Sequence, residues 1–409
     1  MKIELKITLK IPNKLRDVNS IEEFVFRERN KIGKMIFVKI LKKIEEKRLN
    51  NLKKATKLGE FSCYLYTRLG IIRIARWRIK FKEKTYYLLD KVINLNPLKA
   101  TNYILKRAAE LASDYTYRKA SSLLSKEISD YFGKDLIWYW IKRIAKVLEA
   151  KENLRTQSIL NNQNLSSQSP HPKAIIEIDA TSIHKQYKGK PTKENLEVKL
   201  AICYTDIKKK NKKNYLENKI IYAGVEDTNT FGNNLYSLLE DKLNITSIKD
   251  KLLIGDGDRW IKEIKNLHFP DAKYHLDWWH LTKNIRKAMR ENKRLNALFL
   301  KYLYEGRAER IIDTLATKYR ALTKEKQEIN NLLEYLKNNK EGIYGSKDFE
   351  INKVGSGAIE KNIEIMIGRR FKKQGMSWSK EGAQALLKLR VLKQNKEDWD
   401  KFFEELKWN

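Results

Sequence analysis

Residues 252–261 read LLIGDGDRWI, an apolar run of strand length followed by a glycine-rich turn that carries two carboxylates. These are Asp256 and Asp258, in a chain with 85 lysines and arginines against 51 aspartates and glutamates. Acids at the end of a buried strand in so basic a chain are better suited to holding a cation than to aiding solubility. The glycines beside Asp256 let the backbone turn sharply and leave room for a phosphate.

The length and charge of the chain limit its class. Its 409 residues exceed the usual size of one core, so we expect two or three domains. The formal net charge of +34 attracts polyanions and speeds encounter with them. Nucleic acid is therefore the first candidate partner, and a membrane surface is the second.

Export signals and cysteine chemistry are not supported by the sequence. No run reaches the roughly 18 apolar residues of a membrane span, and the opening MKIELKITLKI alternates like a strand. Cys63 and Cys203 lie far apart and have no CxxC partner, so we expect neither a disulfide framework nor a structural zinc. We expect a soluble cytoplasmic protein associated with the nucleoid.

The N-terminal half reads as a DNA-binding region. Over residues 1–100 we expect a basic helix in 21–55 and a β-hairpin centred on Leu69 and Gly70. Residues 101–152 predict three helices, with breaks near Ser113 and Asp114 and at Gly133. Two short helices joined across a glycine turn are typical of a helix-turn-helix, whose second helix enters the major groove.

The last of these helices carries an isoleucine-rich stripe at helical spacing, which leaves Lys134, Lys142 and Arg143 available to read DNA. Simple packing of three helices would produce the same periodicity, so that alternative stays open. Trp138 and Trp140 are expected in the core rather than stacked on bases.

A polar stretch rich in Asn, Gln and Ser, residues 153–173, predicts a linker. Five apolar runs of strand length follow, in the order three strands, helix, strand, helix, strand, so we expect a mixed sheet covered by helices. Residues 282–349 lack strand signals and predict an all-helical insertion. A last helical segment follows the sequence KVGSGAIE.

Three carboxylates stand at the ends or starts of these elements. Asp179 ends the first strand of this half, Asp256 ends the fourth, and Glu360 lies in the second turn of the late helix. If the first and fourth strands are neighbours, Asp179 and Asp256 face each other and repel unless a cation lies between them. Oxygen ligands select Mg²⁺ or Mn²⁺, and two ions about 3.5–4 Å apart can serve an in-line phosphoryl displacement.

The helix that carries Glu360 has a glycine-rich start. It is preceded by Gly355, Ser356 and Gly357, and the Ser356 hydroxyl is expected to cap its free amides. Glu360 lies beside the apolar stripe of this helix, at the margin where a side chain can point toward a neighbouring sheet.

Each acid also has an ordinary explanation, because aspartates commonly form turns after strands. Asp258 competes with Asp256, but it stands at a helix start, where the helix dipole alone favours an acid. Glu364, one turn beyond Glu360, is an alternative third acid. Glu226 and Asp227 are expected to be loop acids.

At these residues the sequence resembles DDE transposases of bacterial and archaeal insertion sequences, in the branch that includes Mutator-like elements. Three stretches carry the resemblance: IEIDATSI, then GDGDRWI with FPDAKYHLDWWHLTKNI, and GSGAIEKNIEIMIGRRFKKQGMSWSKEGAQALLKLR. They span most of residues 174–390. The branch is marked by Cys or Asp, two residues and then His, which stands here as Asp277 to His280.

The resemblance implies an RNase H-like catalytic domain over residues 174–281 and 350–395, interrupted by the helical insertion. Asp179, Asp256 and Glu360 would bind one or two Mg²⁺ or Mn²⁺ ions, and His280 with Asp277 would contact a phosphate nearby. From chemistry alone, a single histidine after a strand is as well explained by a structural role.

Other side chains around these motifs are candidates for DNA contact. Trp278 and Trp279 could be core residues or could stack on a flipped base, and we expect one of them in the core. Basic residues follow the Glu360 helix and would hold the phosphate backbone, although a solvated basic face is the alternative. They are Arg369, Arg370, Lys372 and Lys373.

The expected function is therefore a DNA transposase. It would bind the terminal inverted repeats of its element in double-stranded DNA, cut a strand with Mg²⁺ and transfer the freed 3′ hydroxyl to target DNA. Joining two ends implies at least a homodimer on DNA. A metal-dependent nuclease or resolvase on the same fold, and a non-catalytic DNA-binding protein derived from a transposase, are the alternatives.

Overall fold

A computed structural model describes residues 3–161, 171–211, 213–318, 326–344, 357–395 and 397–408. The chain forms two compact units, Met1–Val147 with Lys396–Asn409, and Leu148–Asn395. Its elements mix helices with a mixed parallel and antiparallel sheet, as expected from the sequence. No helix of the described ranges is both long and apolar enough to cross a bilayer.

The first unit begins with a long helix and a small antiparallel sheet. The elements are α1 Val18–Asn50, β1 Thr56–Thr67, β2 Gly70–Phe81, β3 Lys84–Tyr87 and α2 Leu88–Val92. Asp17 caps α1, accepting a hydrogen bond from the Ser20 backbone N–H at 2.9 Å. The turn before Gly70 joins β1 to β2 as predicted, whereas β3 had not been predicted.

Three further helices continue this unit: α3 Asn102–Asp114, α4 Tyr117–Ile128 and α5 Lys134–Leu160. Their breaks lie where the sequence predicted them. Helix α5 extends through residues 153–160, which had been assigned to the linker, and residues 162–170 of that linker lie outside the described ranges. The extension has a tertiary cause, because Glu152 binds Lys388 and Ile159 is buried.

Trp140 and Trp138 differ in burial although they lie two residues apart on α5. Trp140 is fully buried and its ring lies 5.2 Å from that of Tyr66, as expected for a core residue. Trp138 is 41% exposed, so its assignment to the core was wrong. Its ring lies 4.9 Å from the ammonium of Lys142 on the outer face of α5. Residues two positions apart on a helix point in different directions, and only one of them faces the core.

The second unit contains all five predicted strands. They are β4 Lys173–Tyr187, β5 Lys190–Tyr204, β8 Ile220–Gly224, β9 Asp250–Gly255 and β10 Lys273–Leu276, and the hairpin β6 Asp206–Lys210 with β7 Lys213–Glu217 is an addition. The sheet order is β10-β9-β4-β5-β8. β5 is antiparallel to β4 and β8, and β9 is parallel to β4 and β10.

Helices cover this sheet and explain its continuous apolar runs. Helix α6 Thr228–Leu243 and helix α7 Arg259–His268 pack on one face, burying a cluster that includes Ile176, Leu239 and Ile261. Residues 174–178 of β4 are all buried, so both faces of that strand are covered.

The predicted insertion is helical wherever the structure describes it. Its helices are α8 Trp278–Ala288, α9 Lys293–Tyr304, α10 Glu309–Ala316, α11 Gln327–Asn338 and α12 Lys340–Tyr344. They enclose a core of their own around Phe299, Ile311 and Leu336. The insertion is thus a packed subdomain rather than an extended loop.

The last part of the second unit returns to the sheet. It consists of α13 Gly357–Ile363, a π-helix Glu364–Lys372, a 3₁₀ turn Lys373–Gly375 and α14 Lys380–Gln394. Gly355 and the predicted cap Ser356 lie outside the described ranges. Helix α15 Glu397–Glu404 belongs to the first unit, where Asp400 pairs with Lys106 at 2.6 Å.

Candidate active site at the carboxyl ends of parallel strands

Asp256 directly follows β9, and Asp179 lies in β4 just beyond the end of its parallel pairing with β9. The prediction that this strand ends at Asp179 was wrong, because β4 continues to Tyr187 through its antiparallel pairing with β5. β4 and β9 are in register with Ile175 opposite Leu252 and Glu177 opposite Ile254. Two residues further along both strands, the same register puts Asp179 opposite Asp256, with the strands about 4.8 Å apart. From the sequence, the two aspartates were expected to face each other only if these strands are neighbours. The strand order confirms that they are.

A third aspartate joins the same edge of the sheet. Leu276 of β10 pairs with Gly255 of β9, and the Asp277 backbone N–H donates to the Gly255 carbonyl oxygen at 2.7 Å. Asp277 therefore follows β10 at the level where Asp256 follows β9. Asp256 and Asp277 follow the carboxyl ends of β9 and β10, and Asp179 of β4 lies at the same edge, where the parallel pairing ends. Ligands bind outside the carboxyl ends of parallel strands in open α/β sheets.

The shared burial of these acids changes their protonation. Desolvation raises the pKa of Asp179 to about 6, and the nearby Asp256 carboxylate adds to the rise. Burial also raises the pKa of Asp256, against the opposing hydrogen bond from the Asp258 backbone N–H at 2.9 Å. This edge of the sheet therefore concentrates negative charge that the protein compensates only in part.

His280 supplies part of that compensation. Asp277 caps α8, accepting from the backbone N–H of His280 at 3.1 Å, and its carboxylate lies 2.6 Å from His280 Nδ1. This hydrogen bond is the main cause of a raised pKa for His280, and the charges of Asp179 and Asp256 act in the same direction. Asp277 thus fixes the ring and leaves Nε2 as the nitrogen that it does not engage.

Glu177 is a site residue that the sequence analysis missed. It lies two residues before Asp179 on the same face of β4, and it accepts hydrogen bonds from Tyr204 Oη at 2.7 Å and from the Ile359 backbone N–H at 3.0 Å. Burial raises the pKa of Glu177 to about 7, and Asp277 and Glu360 contribute negative charge nearby. A glutamate inside the apolar run AIIEID was the available signal, since unpaired buried acids are rare.

Glu177 therefore connects the Glu360 helix to the aspartate strand. Ile359 and Glu360 are consecutive residues in the first turn of α13, so the hydrogen bond to Ile359 holds this turn against β4. Yet no three His, Cys, Asp or Glu side chains of the described ranges converge closely enough to hold a metal ion. The structure brings Asp179 and Asp256 together, and it does not join Glu360 to them in one ligand group.

The alternative acids have other partners. Glu364 is exposed and pairs with Arg369 at 3.9 Å and Lys373 at 3.7 Å, which makes it a surface acid. Asp258 precedes α7 and contributes its backbone N–H to Asp256. Asp227 caps α6 by accepting from the Thr230 backbone N–H at 2.9 Å.

Glu226 lies in the loop between β8 and α6, as expected, and it also holds separate elements together. Its side chain is largely buried, pairs with Lys388 at 3.4 Å and accepts from Tyr222 Oη at 2.8 Å. Lys388 also binds Glu152, so this network connects α5, the end of β8 and α14 within the second unit. This network stabilises the edge of the sheet at β8. Its residues are far apart in the sequence, so local patterns did not predict these contacts.

The helical insertion supports the turn that carries Asp256. Tyr335 Oη donates to the Asp256 carbonyl oxygen at 2.7 Å, and the Asn284 amide donates to Tyr335. Gly257 has φ +99°, and a Cβ there would lie 2.8 Å from the Asn339 amide. Gly257 is thus required both by backbone conformation and by the close approach of the end of α11.

The two tryptophans before His280 differ in burial, as expected. Trp278 is partly buried and packs against the insertion core, and its ring lies 5.4 Å from that of the exposed Tyr304. Trp279 is 46% exposed, its ring lies 4.8 Å from His280, and the Lys283 ammonium lies 4.4 Å from its centroid. One tryptophan is structural, and the other is an exposed aromatic surface beside the acids.

The predicted phosphate-binding residues after α13 divide into exposed and buried. Arg369, Lys372 and Lys373 are exposed, and Lys372 Nζ donates to Thr181 Oγ1, two residues beyond Asp179 on β4. Arg370 is only 2% exposed, and its guanidinium lies 4.9 Å from the Trp378 ring. The assignment of Arg370 to the phosphate surface was wrong, because the π-helix turns this side chain into the core.

The predicted DNA-reading residues of α5 remain accessible. Lys134 is exposed, and Lys142 and Arg143 are partly buried along the same helix. Lys142 and the exposed Trp138 form a cation-π pair on α5. This face of the helix therefore combines positive charge with an accessible aromatic ring.

Comparison with known proteins adds a family. The profile described as "Uncharacterised protein family (UPF0236)" matches residues 13–407. The chain belongs to the UPF0236 family. UPF0236 protein TTE2489 of Caldanaerobacter subterraneus subsp. tengcongensis is 25% identical over 353 residues, covering 84% of this chain and 70% of the relative.

Two other UPF0236 relatives come from the same organism. One, whose name joins the four locus designations TTE0610, TTE0881, TTE1053 and TTE2432, is 24% identical over 350 residues, covering 84% of this chain and 69% of the relative. Another is 24% identical over 352 residues with the same coverage, and its name joins eleven locus designations that begin with TTE0033.

Proposed function

We propose that this UPF0236 protein is a DNA transposase of the DDE type, with an RNase H-like catalytic domain. The observation that carries the proposal is the pair Asp179 and Asp256, which lie where the parallel pairing of β4 and β9 ends. The strand order β8-β5-β4-β9-β10, with antiparallel pairing on one side and parallel pairing on the other, is typical of RNase H-like domains.

The donor chemistry of this edge fits a divalent cation. Two partly buried carboxylates with raised pKa values face each other and lack full compensation, and hard oxygen donors suit Mg²⁺ or Mn²⁺. Asp179 and Asp256 would hold the first ion, and Glu360 would join when DNA is bound. Such ions, when bound, activate the attacking oxygen and stabilise the leaving oxygen of a phosphodiester.

The protein's own groups orient the strand around this centre. His280, fixed by Asp277 and with a raised pKa, would donate from Nε2 to a non-bridging phosphate oxygen. Lys372, beside Thr181, would contact the adjacent phosphate, and Tyr335 keeps the Asp256 turn in place from the insertion. Trp279 offers an exposed ring on which an unpaired base could stack.

Recognition of the element ends would come from the first unit. Helices α4 and α5, separated by residues 129–133, would form the helix-turn-helix, and Lys134 and Lys142 lie on the helix that would enter the major groove. A net charge of +34 supplies the phosphate attraction that such binding needs. The partner is double-stranded DNA, bound by at least two copies of the chain.

The relatives support a mobile gene. Two of their names join four and eleven locus designations of one organism. Several loci under one protein name are what a gene that copies itself within a genome would produce.

The decisive experiment compares Asp256→Asn with wild type on DNA that carries the element's ends, with Mn²⁺ present. We expect this substitution to reduce strand cleavage at least about 10³-fold, since it removes a ligand of the catalytic ion, and to leave affinity for the DNA unchanged. Asp258→Asn is the matched control, because Asp258 lies two residues away and its hydrogen bond to Asp256 comes from the backbone N–H, which asparagine keeps.

Three results would redirect the assignment. Equal cleavage by wild type and Asp256→Asn would refute the catalytic role of the strand ends. Binding by wild type with no cleavage would favour a non-catalytic DNA-binding protein. Cleavage that never yields joined strands would favour a nuclease or resolvase.

A further inference from the structure

The first unit contains a cavity of about 680 Å³ between the end of α1, the β2–β3 hairpin and α2. Four of its lining side chains are cationic: Arg48, Lys82, Lys84 and Lys91. All of the lining residues belong to the described ranges, and none of them is acidic. The lining of the cavity therefore carries positive charge without a lining acid.

One wall of this basic cavity is aromatic and apolar. Phe81 and Tyr86 line it, and Leu88, only 1% exposed, lies among them. The Lys91 ammonium lies 4.7 Å from the Tyr86 ring centroid, so a positive charge is held at the aromatic wall. A ligand that filled the cavity would need both an anionic group and a flat apolar part.

The four cations have no acidic partner within the described part of the chain. Arg48 and Lys91 lie in the last turns of α1 and α2, where a cation stabilises the carboxyl end of a helix. That explanation does not extend to Lys82 and Lys84, which come from the β2–β3 hairpin. The helix ends and the β2–β3 hairpin thus each place cations in the lining of the same cavity.

The turn of the β2–β3 hairpin, which contains Lys82, also has an unfavourable backbone conformation. Lys82 has φ +45° and Glu83 has φ +62°, in a two-residue turn that normally favours Asn and Gly. Left-handed backbone is unfavourable at residues that carry a side chain. The strained turn connects Lys82 and Lys84, and both of these lysines line the cavity.

We propose that this cavity binds a nucleotide, with its phosphate on the four cations and its base against Phe81 and Tyr86. Its volume lies within the roughly 300–1,000 Å³ of small-ligand sites. The nucleotide is either free or the unpaired end of a DNA strand, which present the same chemistry. The proposal does not rest on the catalytic assignment, because none of the residues involved belongs to the strand-end site.

The test uses the full chain in EDTA, so that no DNA is cut. Binding of deoxyadenosine monophosphate, inorganic phosphate, a blunt duplex and a duplex with an unpaired end is measured for wild type and for K84E/K91E. We expect the double variant to weaken deoxyadenosine monophosphate binding at least about tenfold, since charge-assisted contacts to phosphate are strong. Inorganic phosphate should bind wild type more weakly than the nucleotide.

The matched control is K54E/K80E, which makes the same change of charge at exposed lysines of this unit that do not line the cavity. It should shift nucleotide affinity less than about twofold, because neither ammonium lines the cavity and salt screens exposed charges. Circular dichroism melting should show that both double variants fold. Arginine replacements, K84R/K91R, should restore binding.

Competition separates the two sources. Displacement of the unpaired-end duplex, but not of the blunt duplex, by the mononucleotide would assign the cavity to DNA ends, and saturable binding of the mononucleotide without displacement would assign it to a free nucleotide. Equal losses in K84E/K91E and K54E/K80E, or no saturable binding of either nucleotide form, would overturn the proposal.

Discussion

The Glu177 carboxylate accepts a hydrogen bond from the Ile359 backbone N–H at 3.0 Å, across 182 positions of sequence. Through it, the strand that carries Asp179 holds the first turn of the helix that carries Glu360. Glu177 is buried with a pKa raised to about 7, so near neutral pH it is only partly ionised. The third acid of the proposed site is therefore positioned through a residue that need not touch DNA.

The raised pKa of Asp179 predicts how stability depends on pH. The folded pKa of about 6 exceeds the ordinary value of 3.8, so between these pH values the native state binds more protons than the unfolded state. Ionising Asp179 then destabilises the fold as pH rises through about 6. Without metal, Asp179→Asn should be about 1–3 kcal/mol more stable than wild type at pH 8, and the two should differ little at pH 3.5.

Urea unfolding in EDTA at several pH values measures this difference. Asp206→Asn is a suitable control, because this exposed aspartate pairs with Lys173 and its pKa is lowered. Its substitution should not stabilise the protein at pH 8. A stability difference between wild type and Asp179→Asn that is constant over pH would contradict the buried charge.

Divalent ions should stabilise the protein through the aspartate pair. At a Mn²⁺ concentration about 100-fold above its dissociation constant, wild type should gain roughly 3 kcal/mol, seen as a rise in Tm. Asp179→Asn and Asp256→Asn should lose most of this gain. Glu360→Gln should keep most of it in the absence of DNA, since Glu360 is not joined to the pair in one ligand group within the described ranges.

Differential scanning fluorimetry with and without Mn²⁺ provides the measurement, with Asp258→Asn as the neighbouring control. If Glu360→Gln abolished the metal-induced rise in Tm while Asp179→Asn kept it, the proposed order of ligand assembly would be wrong.

Asp277 should act on DNA through His280. Because the hydrogen bond with Asp277 raises the pKa of His280, Asp277→Asn should lower that pKa toward 6.5. The imidazolium would then be lost at a lower pH, so DNA affinity of the variant should fall between pH 6.5 and 8 and match wild type at pH 5.5. Asparagine also caps helices well, so α8 should persist.

Fluorescence anisotropy in EDTA across this pH range gives the affinities. His280→Gln should remove the pH dependence and lower affinity at every pH in the range. Equal loss of affinity by Asp277→Asn at pH 5.5 and pH 8 would indicate a structural role for Asp277 alone.

Substitutions of the basic residues after α13 should have two different effects, one on DNA affinity and one on stability. Arg369→Ala and Lys372→Ala should each reduce the slope of log affinity against log salt by about 0.9, since each removes one phosphate contact. Arg370→Ala should instead destabilise the protein, by about 2–4 kcal/mol, because the buried guanidinium packs on Trp378.

DNA titrations at several salt concentrations, together with urea unfolding, distinguish these effects. Lys337→Ala is a control from the surface of the insertion. An unchanged salt slope for Lys372→Ala would indicate that Lys372 belongs to an ordinary solvated surface and does not contact a phosphate. Normal stability of Arg370→Ala would contradict the burial of Arg370.

Local patterns were sufficient to predict much of the fold. The apolar runs that end at Asp179 and Asp256 predicted β4 and β9, because strand length and turn residues are recorded in consecutive positions. The breaks around Gly133 and Asp114 were predictable for the same reason. Tertiary contacts decided the end of α5, where the Glu152 contact with Lys388 extends the helix into a polar segment.

The sequence by itself determined most of the elements and the position of Asp256 after a strand, since periodicity and turn chemistry act within a few residues. Only the tertiary structure decided that Arg370 is buried, that Trp138 is exposed and that Glu177 holds the Glu360 helix. The physical reason is that burial and pairing depend on contacts between separate elements of the fold, which local sequence patterns do not encode.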